Sequence, residues 1–117
     1  MTTYQEIESK TKLEELIRST REHPLLIFKH SNSCGISNRA FDEFQKYLDT
    51  PESASVGNYV IVVQNSREAS DELERLTGIR HESPQAILVN KGKAIWSDSH
   101  MALKKGLLLD ALKNLSL

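Results

Sequence analysis

The chain contains one cysteine, Cys34, and its position is typical of a reactive thiol. It follows an apolar run over 25–30 and a polar loop, and it precedes a segment with helical spacing. The N-terminus of a helix presents unpaired N–H groups and partial positive charge, and both stabilise a thiolate. Ser37 lies three residues later on the same side of the first turn, where its hydroxyl could donate a hydrogen bond to that thiolate. Cys34 is therefore a candidate nucleophile and Ser37 a candidate donor. The alternative is that both are ordinary residues of a helix start.

The dipeptide Ser83-Pro84 is a second unusual feature, because it opens a predicted strand. Proline cannot join the hydrogen-bond ladder of a central strand and is rarely found there. A cis bond before the proline is one explanation, although only about 5–6% of X–Pro bonds in folded proteins are cis. The other is an ordinary trans proline at a sheet edge. A cysteine at a strand–helix junction combined with a proline that opens a hairpin is more specific than either feature alone.

Apolar spacing predicts the elements that must position these residues. Buried strands are expected over 25–30 and 58–64, a hairpin over 85–89 and 94–96, and helices over 12–18, 34–50 and 66–78 and from about Met101. The first two strands are joined through a helix and should be parallel, whereas the hairpin adds antiparallel strands. The sequence therefore predicts a single α/β domain over 1–117. Its mixed central sheet of about four strands is flanked by helices on both faces, in the element order of the thioredoxin fold.

Composition limits the function classes that need consideration. The 15 basic and 16 acidic residues give a net charge of −1, so there is no basic excess for a phosphate backbone and nucleic acid is not an expected partner. No apolar run approaches the roughly 20 residues that span a bilayer, and no secretory signal is recognisable. We therefore expect a cytoplasmic protein without a membrane partner. A single cysteine excludes an intramolecular disulfide and a cysteine-based metal cluster, and no bound cofactor is expected.

The segment around the thiol resembles a known family. Cys34-Gly35-Ile36-Ser37, preceded by Lys29-His30-Ser31-Asn32-Ser33, is similar to the Thr-Cys-Pro-Ile-Ser motif of the YtxJ-like monothiol bacilliredoxins. The segments Ala40-Phe41-Asp42-Glu43-Phe44 and Ala94-Ile95-Trp96-Ser97-Asp98-Ser99-His100 are also similar to that family. The resemblance covers nearly the whole chain, and the joint order of these short motifs supports it.

The resemblance implies a thioredoxin-like protein of low-GC Gram-positive bacteria that removes bacillithiol from mixed disulfides on client proteins. Cys34 would match the attacking cysteine, Ser37 the position of the missing second cysteine, and Pro84 the cis proline beside the thiol. Bacillithiol or a similar low-molecular-weight thiol would act as co-substrate. Two residues depart from the family: Gly35 stands where proline is usual, and Ser33 where threonine is common. Glycine should loosen the first helical turn, which proline would pre-set.

Two other functions remain open at this level. The chain could be a non-catalytic binding module that docks an extended peptide along the Pro84 strand. It could also be a single-cysteine redox sensor, modified under stress without turnover. His30 either pairs with the thiolate or is a partly exposed residue at a strand end. His81 either lines a substrate groove or is a simple loop residue, while His100 opens the last predicted helix and Trp96 is expected to pack in the core.

Overall fold

The computed structural model describes residues 2–116, which form five strands and four α-helices. The strands are β1 (Gln5–Glu6), β2 (Leu25–His30), β3 (Gly57–Val62), β4 (Gln85–Asn90) and β5 (Lys93–Ser99), and the helices are α1 (Lys10–Ser19), α2 (Gly35–Leu48), α3 (Arg67–Thr77) and α4 (Lys105–Leu112). Short 3₁₀ helices occupy Pro51–Ser55, His100–Ala102 and Lys113–Ser116. Within residues 2–116, no helix is both long enough and apolar enough to cross a membrane.

The sheet has the order β1-β3-β2-β4-β5. β2 pairs in parallel with β3 through the α2 crossover, and β4 pairs antiparallel with both β2 and β5. The predicted α/β class, with a mixed sheet between helices, is confirmed. The sheet has five strands rather than about four, because β1 adds a parallel edge strand beside β3. Its two residues are too few to show the alternation from which a strand is predicted.

β2 is the central strand, and all six of its residues are buried. Successive side chains of a strand point to opposite faces. Leu26 and Phe28 pack in an apolar cluster with residues of α2 and α4, whereas Leu25 and Ile27 pack in a second cluster with residues of α1 and α3. The alternation continues to the end of β2, so the last two residues of the strand also project to opposite faces.

The C-terminal region differs from the predicted single helix that begins near Met101. A 3₁₀ turn over His100–Ala102 comes first, and α4 begins only at Lys105. Leu103, between them, is buried with φ −77° and ψ 84°, which is not a helical conformation. Anchoring this side chain in the core interrupts the helix. The predicted end of α3 is confirmed, since Gly78 ends it with φ +73°, a conformation that glycine adopts without steric cost.

Candidate active site

Cys34 is the N-cap residue of α2, with extended dihedral angles of φ −119° and ψ 125°. Its side chain is half-buried, and its carbonyl oxygen accepts a hydrogen bond from Asn38 N–H at 3.0 Å. No acidic residue lies in the first turn of α2, so the partial positive charge of the helix N-terminus is not offset there. The prediction of a partly exposed thiol at a helix N-terminus is confirmed.

Ser37 is fully buried in the first turn of α2, and its hydroxyl has two partners. Ser37 Oγ accepts a hydrogen bond from Ser31 N–H at 2.9 Å and lies 2.8 Å from His30 Nδ1. Among the described residues, no hydrogen bond joins Ser37 to the Cys34 sulfur. The hydroxyl therefore fastens the start of the loop before Cys34 to the end of β2.

His30 lies on the α2 side of the sheet and is only 7% exposed. Its ring stacks on Phe41, with the ring centres 4.5 Å apart and the planes 17° apart. Burial lowers the pKa of His30 below its usual value, and the hydrogen bond with Ser37 opposes that shift. His30 is therefore packed behind the loop, where burial favours its neutral form. The interpretation of a partly exposed strand-end residue is wrong, because α2 covers this end of β2.

Pro84 follows a cis peptide bond from Ser83, as the position of this proline at the start of an interior strand suggested. Lys29 pairs with Gln85 in the antiparallel register, which places the buried Pro84 beside the end of β2. The Pro84 carbonyl accepts a hydrogen bond from His100 N–H at 2.9 Å. The loop that leads to Cys34, the cis proline and the turn after β5 therefore meet at one end of the sheet.

Gln64, just after β3, holds the loop before Cys34 from the other side. Its Nε2 donates to Ser31 Oγ at 2.7 Å and to Ser33 Oγ at 2.9 Å, and its Oε1 accepts from Asn32 N–H at 3.3 Å. Sequence analysis did not identify this residue. Its position in the sequence could have identified it, because the parallel pairing of β2 and β3 brings the segments that follow both strands to the same edge of the sheet.

Lys29 points to the opposite face from His30 and is fully buried beneath α3. Its Nζ donates to the Ser70 carbonyl at 3.2 Å and to His81 Nδ1 at 3.1 Å. Burial lowers the pKa of Lys29 to about 8, a shift that the nearby carboxylates of Glu74 and Asp71 oppose. The pKa of His81 is lowered by burial and by the Lys29 charge. His81 is thus an exposed loop residue whose ring also contacts the buried lysine.

Comparison with known proteins identifies relatives over most of the chain. The family model for monothiol bacilliredoxin BrxC matches residues 5–108. A solved structure described as a proposed oxidoreductase with a thioredoxin fold is 30% identical with a TM-score of 0.80, and the match covers 92% of each chain. The thioredoxin of Malassezia sympodialis is 21% identical with a TM-score of 0.80, over 100% of this chain and 94% of that one. At this lower identity the second match establishes the fold alone, and the predicted thioredoxin-like fold is confirmed.

Proposed function

Because the chain belongs to the monothiol bacilliredoxin family, we propose that it removes a low-molecular-weight thiol from mixed disulfides on client proteins through Cys34. Membership of this family, together with a relative described as a proposed oxidoreductase, places the chain among proteins with a thiol redox role. The observation that carries the proposal is the half-buried Cys34 at the N-terminus of a 14-residue helix, where its side chain makes no capping hydrogen bond. Helix N-termini are positions at which reactive cysteines are commonly found, and the thiolate is the attacking species in disulfide exchange.

The proposed reaction is one exchange of sulfur partners. The Cys34 thiolate attacks the sulfur of the low-molecular-weight thiol in the mixed disulfide. The bond between that sulfur and the client cysteine breaks, and the client leaves as a thiolate that takes a proton from water. A disulfide between Cys34 and the small thiol remains. A second molecule of small thiol, bacillithiol or a similar compound, then attacks this adduct, which releases the small disulfide and restores Cys34.

Ser37 and Pro84 have supporting roles in this proposal. Ser37 occupies the position at which a second cysteine would resolve the adduct, and an alcohol cannot attack a disulfide in that way. Through its bonds to Ser31 and His30 it positions the loop that carries Cys34. Pro84, buried beside the end of β2, would support the backbone against which the client chain presents its disulfide to the thiol. A reducing, cytoplasmic compartment suits a working site with a single thiol.

A stoichiometry experiment tests the proposal. The reduced protein is incubated with a client that carries a mixed disulfide, and the masses of both proteins are followed over time. We expect about one client to be cleared for each protein molecule, after which the reaction stops. Addition of the free small thiol should restart it. Cys34→Ser should clear no client, and Cys34→Ser that retains full activity would refute the mechanism.

The same experiment separates the other two functions. A redox sensor would acquire the adduct on Cys34, but added thiol would not restore repeated clearance of clients. A non-catalytic binding module would bind the client equally well with and without the Cys34 thiol and would leave the mixed disulfide intact. Sustained clearance without any added thiol would contradict all three functions, since one thiol can only exchange partners.

A further inference from the structure

The side chain of Gln64 makes three hydrogen bonds, and all of them go to the three residues that precede Cys34. Its Nε2 donates to Ser31 Oγ at 2.7 Å and to Ser33 Oγ at 2.9 Å, while its Oε1 accepts from Asn32 N–H at 3.3 Å. A backbone N–H can only donate, so the amide oxygen must face Asn32 and the amide nitrogen must face the two hydroxyls. Both N–H groups of this amide are therefore committed to the loop.

These bonds contribute little to the stability of the fold. Gln64, Asn32 and Ser33 are all exposed. Water replaces such bonds in the unfolded chain, and an exposed glutamine also loses rotamer freedom when it is held in one place. Substitutions at exposed sites usually change the free energy of unfolding very little. The bonds of Gln64 are better explained by their local effect, which is to restrict the loop before Cys34.

Gln64 can hold the loop firmly because its own backbone is fixed on both sides. Val63 N–H donates to the His30 carbonyl at 2.9 Å, which extends the pairing of β2 with β3 to the residue before Gln64. Directly after Gln64, Asn65 N–H donates to the Val62 carbonyl at 3.0 Å. The amide of Gln64 therefore links the loop to the end of a buried sheet.

Cys34 takes its position from the same loop. Its N–H donates to the Ser31 carbonyl at 3.4 Å, so a shift of Ser31 also shifts the backbone of Cys34. Among the described residues, Asn32 and Ser33 have no hydrogen-bond partner outside the loop other than Gln64. Loss of this amide would leave two of the three residues before Cys34 held only by their neighbours in the loop.

We infer that Gln64 is a positioning residue for the thiol exchange: it holds the loop over 31–33 so that Cys34 meets the disulfide of a client from a fixed direction. The inference rests on the proposed function and adds to it a side chain that acts through the loop rather than on the reacting sulfurs. Attack requires the reacting atoms to be aligned. A small disulfide can turn to meet the thiolate, whereas a disulfide on a folded client cannot. Gln64 should therefore matter more for a client than for a small disulfide.

The test compares two disulfides in which the attacked sulfur is the same. One is a folded test protein whose single surface cysteine is joined to bacillithiol, and the other is bacillithiol disulfide. In each reaction the Cys34 thiolate attacks a bacillithiol sulfur, a disulfide between Cys34 and bacillithiol forms, and the other half leaves as a thiolate. The quantity measured is the ratio of the second-order rate constants for the protein and the small disulfide. The thiolate fraction of Cys34 enters both constants, so it cancels in this ratio.

We expect the ratio to fall about two- to tenfold in Gln64→Met, the factor that corresponds to the net contribution of one hydrogen bond. Gln64→Glu should restore the ratio, because its carboxylate can accept from Asn32 N–H and from the hydroxyls of Ser31 and Ser33, which turn to donate. Half a molar salt in all reactions screens the added charge. The matched control is Gln45→Met, at an exposed glutamine of α2 whose side chain has no hydrogen bond among the described residues, and it should keep the original ratio.

Two results would overturn the inference. One is a ratio in Gln64→Met equal to that of the unchanged protein. The other is an equal fall in Gln64→Met and Gln64→Glu, which would show that the hydrogen bonds to the loop are not the cause.

A second measurement separates this inference from the proposed function. Failure of the unchanged protein to clear the test client would refute the function, and the hold of Gln64 on the loop is then tested by ¹⁵N relaxation. We expect order parameters near the rigid value of about 0.85 at the amides of Asn32 and Ser33, a fall toward about 0.6 in Gln64→Met, and recovery in Gln64→Glu. Order parameters that stay high in Gln64→Met would overturn the inference, whether or not Cys34 exchanges with a client.

Discussion

Replacement of Gly35 by proline should stabilise the protein, because the backbone on both sides already suits it. Gly35 is the first residue of α2, a position whose N–H has no partner within the helix and where proline is favoured. The residue before a proline is restricted to φ near −120° and ψ of about 120–160°, and Cys34 has φ −119° and ψ 125°. A Cβ built at Gly35 meets no atom within 4 Å. The conformation of Cys34 and the open space beside Gly35 are therefore compatible with proline at position 35.

The expected gain comes from the unfolded chain, which loses conformational freedom when glycine becomes proline. Substitutions of this kind stabilise by about 0.4–1 kcal/mol where the native conformation is compatible. For 117 residues the unfolding entropy is about 0.25 kcal/mol per degree, so 1 kcal/mol corresponds to a rise in Tm of about 4 °C. Urea denaturation and calorimetry of Gly35→Pro measure both quantities.

Gly106→Pro is the matched control, since a Cβ at Gly106 also meets no atom within 4 Å. Here the preceding residue, Lys105, is the first residue of α4 and has a helical conformation, which a following proline disfavours. We expect Gly106→Pro to lower the free energy of unfolding while Gly35→Pro raises it. Equal effects of the two prolines, or a loss of stability in Gly35→Pro, would refute the argument from the Cys34 dihedral angles.

Two further predictions concern the side chains around the thiol. Ser37→Ala should lower the free energy of unfolding by about 1–3 kcal/mol, because it leaves Ser31 N–H and the buried His30 ring without their partner. The control Thr3→Ala, at an exposed site whose hydroxyl has no hydrogen bond among the described residues, should change it by less than about 0.5 kcal/mol, and equal losses would contradict the structural role of Ser37. Lys29 has a pKa of about 8 in the native protein, so it releases its proton above pH 8, whereas the unfolded chain keeps this proton to about pH 10. The free energy of unfolding should therefore rise between these two pH values, by at most about 1.4 kcal/mol per pH unit. Lys29→Met should remove this slope in pH-dependent urea denaturation, and a slope that persists would show that another group causes it.

The elements around the thiol follow from local sequence signals, whereas the contacts behind it do not. The apolar run of β2, the helical spacing after Cys34 and Gly78 at the end of α3 are each read from a few neighbouring residues. The contact between His30 and Ser37 spans seven positions along the chain, and that between Lys29 and His81 spans 52. These pairs depend on which face of β2 each side chain occupies and on which helix covers that face. The apolar residues of β2 do not indicate which face of the sheet Lys29 and His30 occupy at the end of the strand.

The two polar residues that end β2 form no hydrogen bond with Cys34 among the described residues. Lys29 and His30 end the same strand, yet Lys29 donates to partners beneath α3 and His30 stacks on Phe41. No residue of the described chain forms an ion pair with Cys34. What remains beside Cys34 is the N-terminus of α2, and the partial charge of a helix end weakens within about one turn. The influence of the helix on Cys34 therefore depends on how well that first turn is formed. The rate of thiol exchange in variants at Gly35 and Ser37 should therefore follow the stability of this turn: the variant with the more stable turn should react faster. Neither change adds or removes a charge.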